Sequence, residues 1–105
     1  MRISEDEATI IRDSIRRRFS SVSRIMLFGS RVDDSKRGGD IDILVESDEP
    51  LEAGVRHKLE ALSDMHIRLG DRKIDFVLAS PPGSPADAQD SRRIVQIARE
   101  TGIPL

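Results

Sequence analysis

Three aspartates and a Gly-Ser pair are the residues of this chain whose types and spacing favour chemistry. Gly29-Ser30 follows a short apolar run, and nine residues separate the pair from Asp40. Alternate side chains of a strand project from the same face, so Asp40 and Asp42 are expected to lie side by side. Two adjacent carboxylates repel each other unless a cation lies between them. The spacing therefore predicts a site for a divalent metal and a nucleoside triphosphate.

A third acid, Asp75, lies in another short apolar segment, residues 73–79, which we interpret as a strand. A two-metal site needs a carboxylate that bridges the ions, and a further acid on a neighbouring strand can help to take a proton. Glycine has no side chain, so a phosphate can approach the turn at Gly29, where the Ser30 hydroxyl and nearby N–H groups can hold it. By itself a pair of alternate acids is a weak signal, because many strands carry acids that face water. The complete pattern is much more specific.

Composition limits the class of protein. At 105 residues the chain is expected to form one domain, residues 1–105. It has no apolar run long enough to span a membrane, and its acidic N-terminus does not resemble a secretory signal, so we expect a cytoplasmic protein. It has no cysteine, so we expect neither disulfides nor thiolate chemistry. A net charge of −2 and only three aromatic residues, all interpreted as core, argue against direct nucleic-acid binding.

The rest of the pattern predicts a small mixed β-sheet flanked by helices, an α/β fold of the α+β kind. Ser4 and Glu7 form a capping box before a first helix, and residues 24–28, 40–46 and 73–79 are expected strands. Residues 80–91 are expected to be a loop, followed by a last helix capped by Asp90 or Ser91. A long amphipathic helix that ends at Gly70 is marked by apolar residues, namely Leu51, Val55, Leu59, Leu62, Met65 and Leu69. His57 and His66 lie nine residues apart on that helix, not at metal-ligand spacing.

Two segments, LFGSRVDDSKRGGDIDILVE at 27–46 and GDRKIDFVLA at 70–79, resemble the minimal nucleotidyltransferases of the DNA-polymerase-β-like superfamily. The C-terminal RIVQIARETGIPL resembles the tail of the antitoxin subgroup. The loop before Asp40 is one residue shorter than is usual there, a change that the glycine-rich loop should absorb. The resemblance implies a polymerase-β-like fold, in which the catalytic, metal-binding residues are Asp40, Asp42 and Asp75.

The resemblance also implies two Mg²⁺ ions, ATP as the substrate, and a triphosphate held by Gly29, Ser30 and Arg31. Lys36 and Arg37 fit a solvated loop as well as they fit phosphate binding. The expected reaction is AMP transfer to a hydroxyl, such as a tyrosine, of a helical HEPN-type toxin, with this chain as its antitoxin in a hetero-oligomer. The chain leaves little length for an acceptor-binding domain of its own. Alternatives are an antitoxin that only occludes its partner, an antibiotic-type small-molecule adenylyltransferase, and nucleotide addition to RNA.

Overall fold

A four-stranded mixed sheet organises the fold in the computed structural model, which describes residues 3–29 and 40–105. In chain order the elements are α1 (Glu5–Arg18), β1 (Arg24–Phe28), β2 (Ile41–Glu46), α2 (Leu51–Leu69), β3 (Ile74–Ala79), α3 (Pro85–Ala88), α4 (Arg93–Thr101) and β4 (Ile103–Pro104). The strand order is β3-β2-β1-β4. β2 pairs parallel with β3, and β1 pairs antiparallel with both β2 and β4. This architecture confirms the predicted fold class.

The sheet separates two apolar clusters because successive strand side chains point to opposite faces. On one face Ile43 of β2 packs with Ile11 and Ile15 of α1 and with Met65 of α2. On the other face Leu44 belongs to a smaller cluster made by β1, β3 and α4, with Met26, Phe28, Ala79, Val95 and Ala98. The three phenylalanines, Phe19, Phe28 and Phe76, are buried as predicted. Helices therefore cover both faces of β2, with α1 and α2 on one side and α4 on the other.

The start of α1 confirms the predicted capping box. The Ser4 hydroxyl accepts from the Glu7 N–H at 3.1 Å, and the Glu7 carboxylate accepts from the Ser4 N–H at 2.9 Å. Two of the free N–H groups at the helix start are satisfied in this way. Glu7 also pairs with Arg72, which fixes α1 to the turn before β3.

The predicted apolar face of α2 is correct for only part of the helix. The helix runs the expected length, ends at Gly70, and buries Ala61 and Met65. Leu51, Val55 and Leu59, however, are 77%, 44% and 61% exposed. This half of α2 lies beside β3, the edge strand, where the described part of the chain does not cover it.

The segment after β3 also differs from the prediction. Residues 80–91 include the short helix α3, which begins with Ser84 as its N-cap and has a proline in its first turn. The N-cap of α4 is Arg92, so the assignment of Asp90 or Ser91 to that position was wrong. Asp90 instead accepts hydrogen bonds from the Arg92 N–H and guanidinium, which orders the turn before the helix. Gly102 is the C-cap of α4.

A buried charge network holds α4 against the sheet. The Glu46 side chain is 1% exposed and accepts from Arg24 at 2.5 Å and from Arg99 at 2.7 Å. Arg99 also donates to Asp87 and to the Ser80 carbonyl. Burial of Glu46 is tolerable because two guanidinium groups pair with it. In the described residues, no helix combines the length and the apolar character that crossing a membrane requires.

Candidate active site

Asp42 and Asp75 are direct neighbours across the parallel strands β2 and β3. The register pairs Asp42 with Asp75, and on the other side it pairs Asp42 with Phe28 at the end of β1. The residues on either side of Asp42, Ile41 and Ile43, point into the α1–α2 cluster, so Asp42 points to the α4 face. The fold therefore places these two predicted site residues together, next to the last residue of β1.

The two carboxyl groups interact directly, and the interaction favours the protonated form of Asp42. Burial, a hydrogen bond to Asp75 and the negative charges of Asp75 and Asp40 together raise the pKa of Asp42 to about 6, against a smaller opposing effect of Lys73. Asp40, directly before β2, is thus close enough to act on Asp42 through its charge. A divalent cation between the carboxylates would relieve the repulsion that favours protonation of Asp42.

Gly29 packs directly against Asp42. Its φ of +76° lies in the left-handed region that side chains disfavour. A Cβ atom built at Gly29 would overlap Oδ2 of Asp42 and lie 3.2 Å from its Cγ. Only glycine fits this close approach of the turn to the carboxylate. Ser30, Arg31, Lys36 and Arg37 lie outside the described residues, so their predicted roles stay predictions.

The donor set suits a hard divalent cation. Mg²⁺ prefers carboxylate oxygens and is often bound by only one or two carboxylates together with substrate phosphates. Asp75 is exposed and Asp40 and Asp42 are half-buried, so solvent and substrate can reach the acids. Across residues 3–29 and 40–105, no group of three or more His, Cys, Asp or Glu side chains is already gathered for metal binding. The structure shows contact for Asp42 and Asp75 and proximity for Asp40.

The two histidines have no place in this site. His57 Nδ1 lies 2.6 Å from a Glu49 oxygen, and its ring meets the Phe19 ring edge-on at 5.6 Å between centroids. Glu49 also accepts from the Ser20 hydroxyl at 2.6 Å. Burial opposes ionisation of Glu49, but the hydrogen bonds from Ser20 and His57 hold its pKa at about 2. Sequence reasoning missed Glu49, whose partners come from two distant segments, and its role is to fix the turn after α1.

A cavity of about 580 Å³ lies at the opposite ends of β2 and β3 from the acids. Its wall includes Ser47, directly after β2, Ala79, the last residue of β3, and Gly54 of α2. The acid site is thus an open surface at the start of the two strands and is separate from this cavity.

Comparison with known proteins agrees with the geometry. The family model of the nucleotidyltransferase domain matches residues 9–100, which include Gly29 and all three aspartates. A search of curated proteins found no match to the chain. Members of the family use a nucleoside triphosphate, typically with a divalent metal. This chain belongs to the nucleotidyltransferase domain family, and its activity is of the nucleotidyl-transfer kind.

Proposed function

We propose that this chain is an ATP- and magnesium-dependent adenylyltransferase that transfers AMP to a hydroxyl group of a partner protein. The observation that carries the proposal is the contact of Asp42 with Asp75 beneath the turn at Gly29. A pair of carboxylates beside a turn without a side chain provides a cation site next to space for a triphosphate. A carboxyl group whose pKa is raised by burial and by a neighbouring carboxylate is characteristic of functional sites.

The three aspartates have separable roles in this proposal. Asp40, Asp42 and Asp75 would hold two Mg²⁺ ions, which supply positive charge for the phosphates when they are bound. Asp75 is the exposed member, so it is well placed to receive the proton of the acceptor hydroxyl. The acceptor oxygen would form a bond to the α-phosphorus as the bond from that phosphorus to the β-phosphate oxygen breaks, and pyrophosphate would leave.

The proposed acceptor is a helical protein of the HEPN type, a toxin that this chain would silence as its antitoxin. The resemblance of residues 93–105 to the antitoxin subgroup supports this choice. Independent support comes from Leu51 and Val55, which present apolar side chains to solvent beside the strand that bears Asp75. Contiguous exposed apolar surface is typical of protein interfaces. We further propose that residues 1–105 act as one minimal domain in a hetero-oligomer.

The intact mass of the partner tests this proposal. The chain would be co-expressed with the product of its neighbouring gene, as wild type and as Asp42→Asn. We expect the partner to gain one or more adenylyl groups only with the wild type, because the variant loses a metal ligand. If the partner is inhibited equally by both forms and gains no mass, this chain acts by occlusion and the proposal is wrong.

A further inference from the structure

A continuous apolar surface surrounds the open edge of the sheet. We call it the edge patch, and it consists of Leu51, Val55 and Lys58 of α2, Phe76, Val77 and Leu78 of β3, and Arg92 and Ile94 at the start of α4. Leu51, Val55 and Ile94 are 77%, 44% and 41% exposed, and they approach β3 from both layers of helices. Among the described residues this is where large apolar side chains gather at the surface around a strand, which is the character of a docking site.

The backbone of β3 makes the edge patch specific for another strand. The Ile41 N–H donates to the Lys73 carbonyl, and the Ser47 N–H donates to the Ala79 carbonyl. The backbone N–H and C=O groups of the odd-numbered residues from Lys73 to Ala79 therefore face β2. The backbone groups of Ile74, Phe76 and Leu78 therefore point away from β2, toward the edge of the sheet. The Leu78 carbonyl accepts from the Arg92 guanidinium at 2.8 Å, so the groups that face an added strand are those of Ile74 and Phe76 and the Leu78 N–H. Such an alternating row of donors and acceptors is matched by an added strand and not by a helix.

Lys58 argues against a second copy of this chain as the occupant. Its Nζ lies 5.8 Å from the centre of the Phe76 ring, in the middle of the edge patch. An antiparallel, twofold pairing that matches the outward-facing residues would place Phe76 opposite Phe76 of the second copy. The two Lys58 ammonium groups would then be brought together, and the repulsion of their like charges opposes such self-pairing. A partner segment that carries a carboxylate opposite Lys58 gains from the same charge.

The edge patch is continuous with the acid site through β3. Asp75 lies between Ile74 and Phe76, the first outward-facing residues of the strand, and its side chain is exposed. Neighbouring strands lie about 4.8 Å apart, so a segment added to β3 passes within reach of Asp75. A side chain near the start of β3 on such a segment would face the phosphate-transfer site.

We propose that the edge patch binds an extended segment of the acceptor protein as an additional strand beside β3, and so presents the acceptor hydroxyl to Asp75. The segment is apolar, with an acidic side chain opposite Lys58 and a hydroxyl-bearing side chain toward the start of β3. This inference rests on the proposed function, since it names how that function recognises its protein substrate.

Surface substitutions test the docking without touching the core or the acids. The partner is the product of the neighbouring gene, titrated by calorimetry against the wild type, Leu51→Ser/Val55→Ser and Lys58→Glu. We expect binding to weaken about tenfold or more in both variants, while ATP affinity stays unchanged. Ile67→Ser is the matched control, because Ile67 is 80% exposed on the same helix but lies outside the edge patch. It should bind as the wild type does.

Amide hydrogen exchange of the wild-type complex then tests for strand addition. Formation of the complex should slow exchange at Ile74, Phe76 and Leu78. Equal partner affinity in all variants, no binding by the wild type, or binding without protection at these amides would each overturn the inference. A concentration-dependent dimer of the isolated chain that Leu51→Ser/Val55→Ser abolishes would also overturn it, in favour of a second copy. Binding through the edge patch without any gain of partner mass would uphold the docking and refute only AMP transfer.

Discussion

Replacement of Asp42 by asparagine should stabilise the metal-free protein at neutral pH while it removes activity. The pKa of Asp42 is raised from 3.8 to about 6 in the folded state, so the folded protein binds this proton more tightly than the unfolded chain does. Protonation of Asp42 therefore contributes fully to the free energy of unfolding below about pH 4, and this contribution is lost as the pH rises through about 6. Asparagine keeps the shape, carries no charge, and its amide can still donate a hydrogen bond to Asp75.

The size of the effect follows from the shift. About two pH units correspond to roughly 3 kcal/mol for a fully buried group, at about 1.4 kcal/mol per unit. The Asp42 side chain is only half-buried, and solvent screening reduces the gain to roughly 1–2 kcal/mol. For a domain of this size that is a rise of roughly 4–15 °C in Tm.

Thermal unfolding without metal at pH 7.5 and at pH 4.5 measures this directly. The variant should be more stable at pH 7.5, and most of the difference should disappear at pH 4.5, where wild-type Asp42 holds its proton. Asp48→Asn, an exposed acid in the turn after β2, is the control and should show no such dependence. A lower Tm for Asp42→Asn at pH 7.5, or a difference that does not change with pH, would refute the reasoning about the acid pair.

Three further substitutions test other parts of the structure by chemical denaturation. Gly29→Ala should lower the free energy of unfolding by about 2–4 kcal/mol and abolish transfer, since its Cβ overlaps the Asp42 carboxylate. Gly83→Ala, also at positive φ but in open space, should cost only about 1 kcal/mol, and equal losses in the two variants would contradict the overlap. Glu49→Gln should lower the free energy of unfolding by about 1–3 kcal/mol at pH 7. Because the pKa of Glu49 is lowered to about 2, this loss should shrink as the pH falls from 4.5 toward 2, and a loss that stays constant would contradict a stabilising role of the Glu49 charge. Arg99→Met should cost about 3 kcal/mol or more because it leaves buried Glu46 with one partner, whereas a loss below about 1 kcal/mol would show that Arg24 suffices.

The sequence predicted the elements that position the acids because their signals are local. The capping box needs only Ser4 and Glu7. The alternation along β2 places Asp42 on the opposite face of the strand from Ile41 and Ile43, whichever strands are its neighbours. The contact between Asp42 and Asp75 depends on which strands are neighbours and in which direction they run. Periodicity within a strand does not determine either property, so the sequence indicated a shared site but not the contact between these two carboxyl groups.

The apolar pattern of α2 shows a second limit. Leu51, Val55 and Leu59 repeat at helical spacing whether they meet the core or an outside partner, so the pattern could not reveal that they are exposed. Burial of Glu46 was equally hidden, because its partner Arg99 lies 53 residues away along the chain. The two-residue strand β4 is too short to have any period.

Transfer of label from ATP to the partner is the most direct test of AMP transfer by this chain. The purified chain and the product of its neighbouring gene would be incubated with Mg²⁺ and ATP labelled in either the α- or the γ-phosphate, with Asp42→Asn as the control. Attack on the α-phosphorus predicts that the partner retains the α-label only, and that neither label is retained with the variant. Retention of the γ-label would indicate phosphoryl transfer instead. If the partner carries no α-label, or carries equal α-label with Asp42→Asn, a nucleotidyl transfer that depends on these aspartates is contradicted.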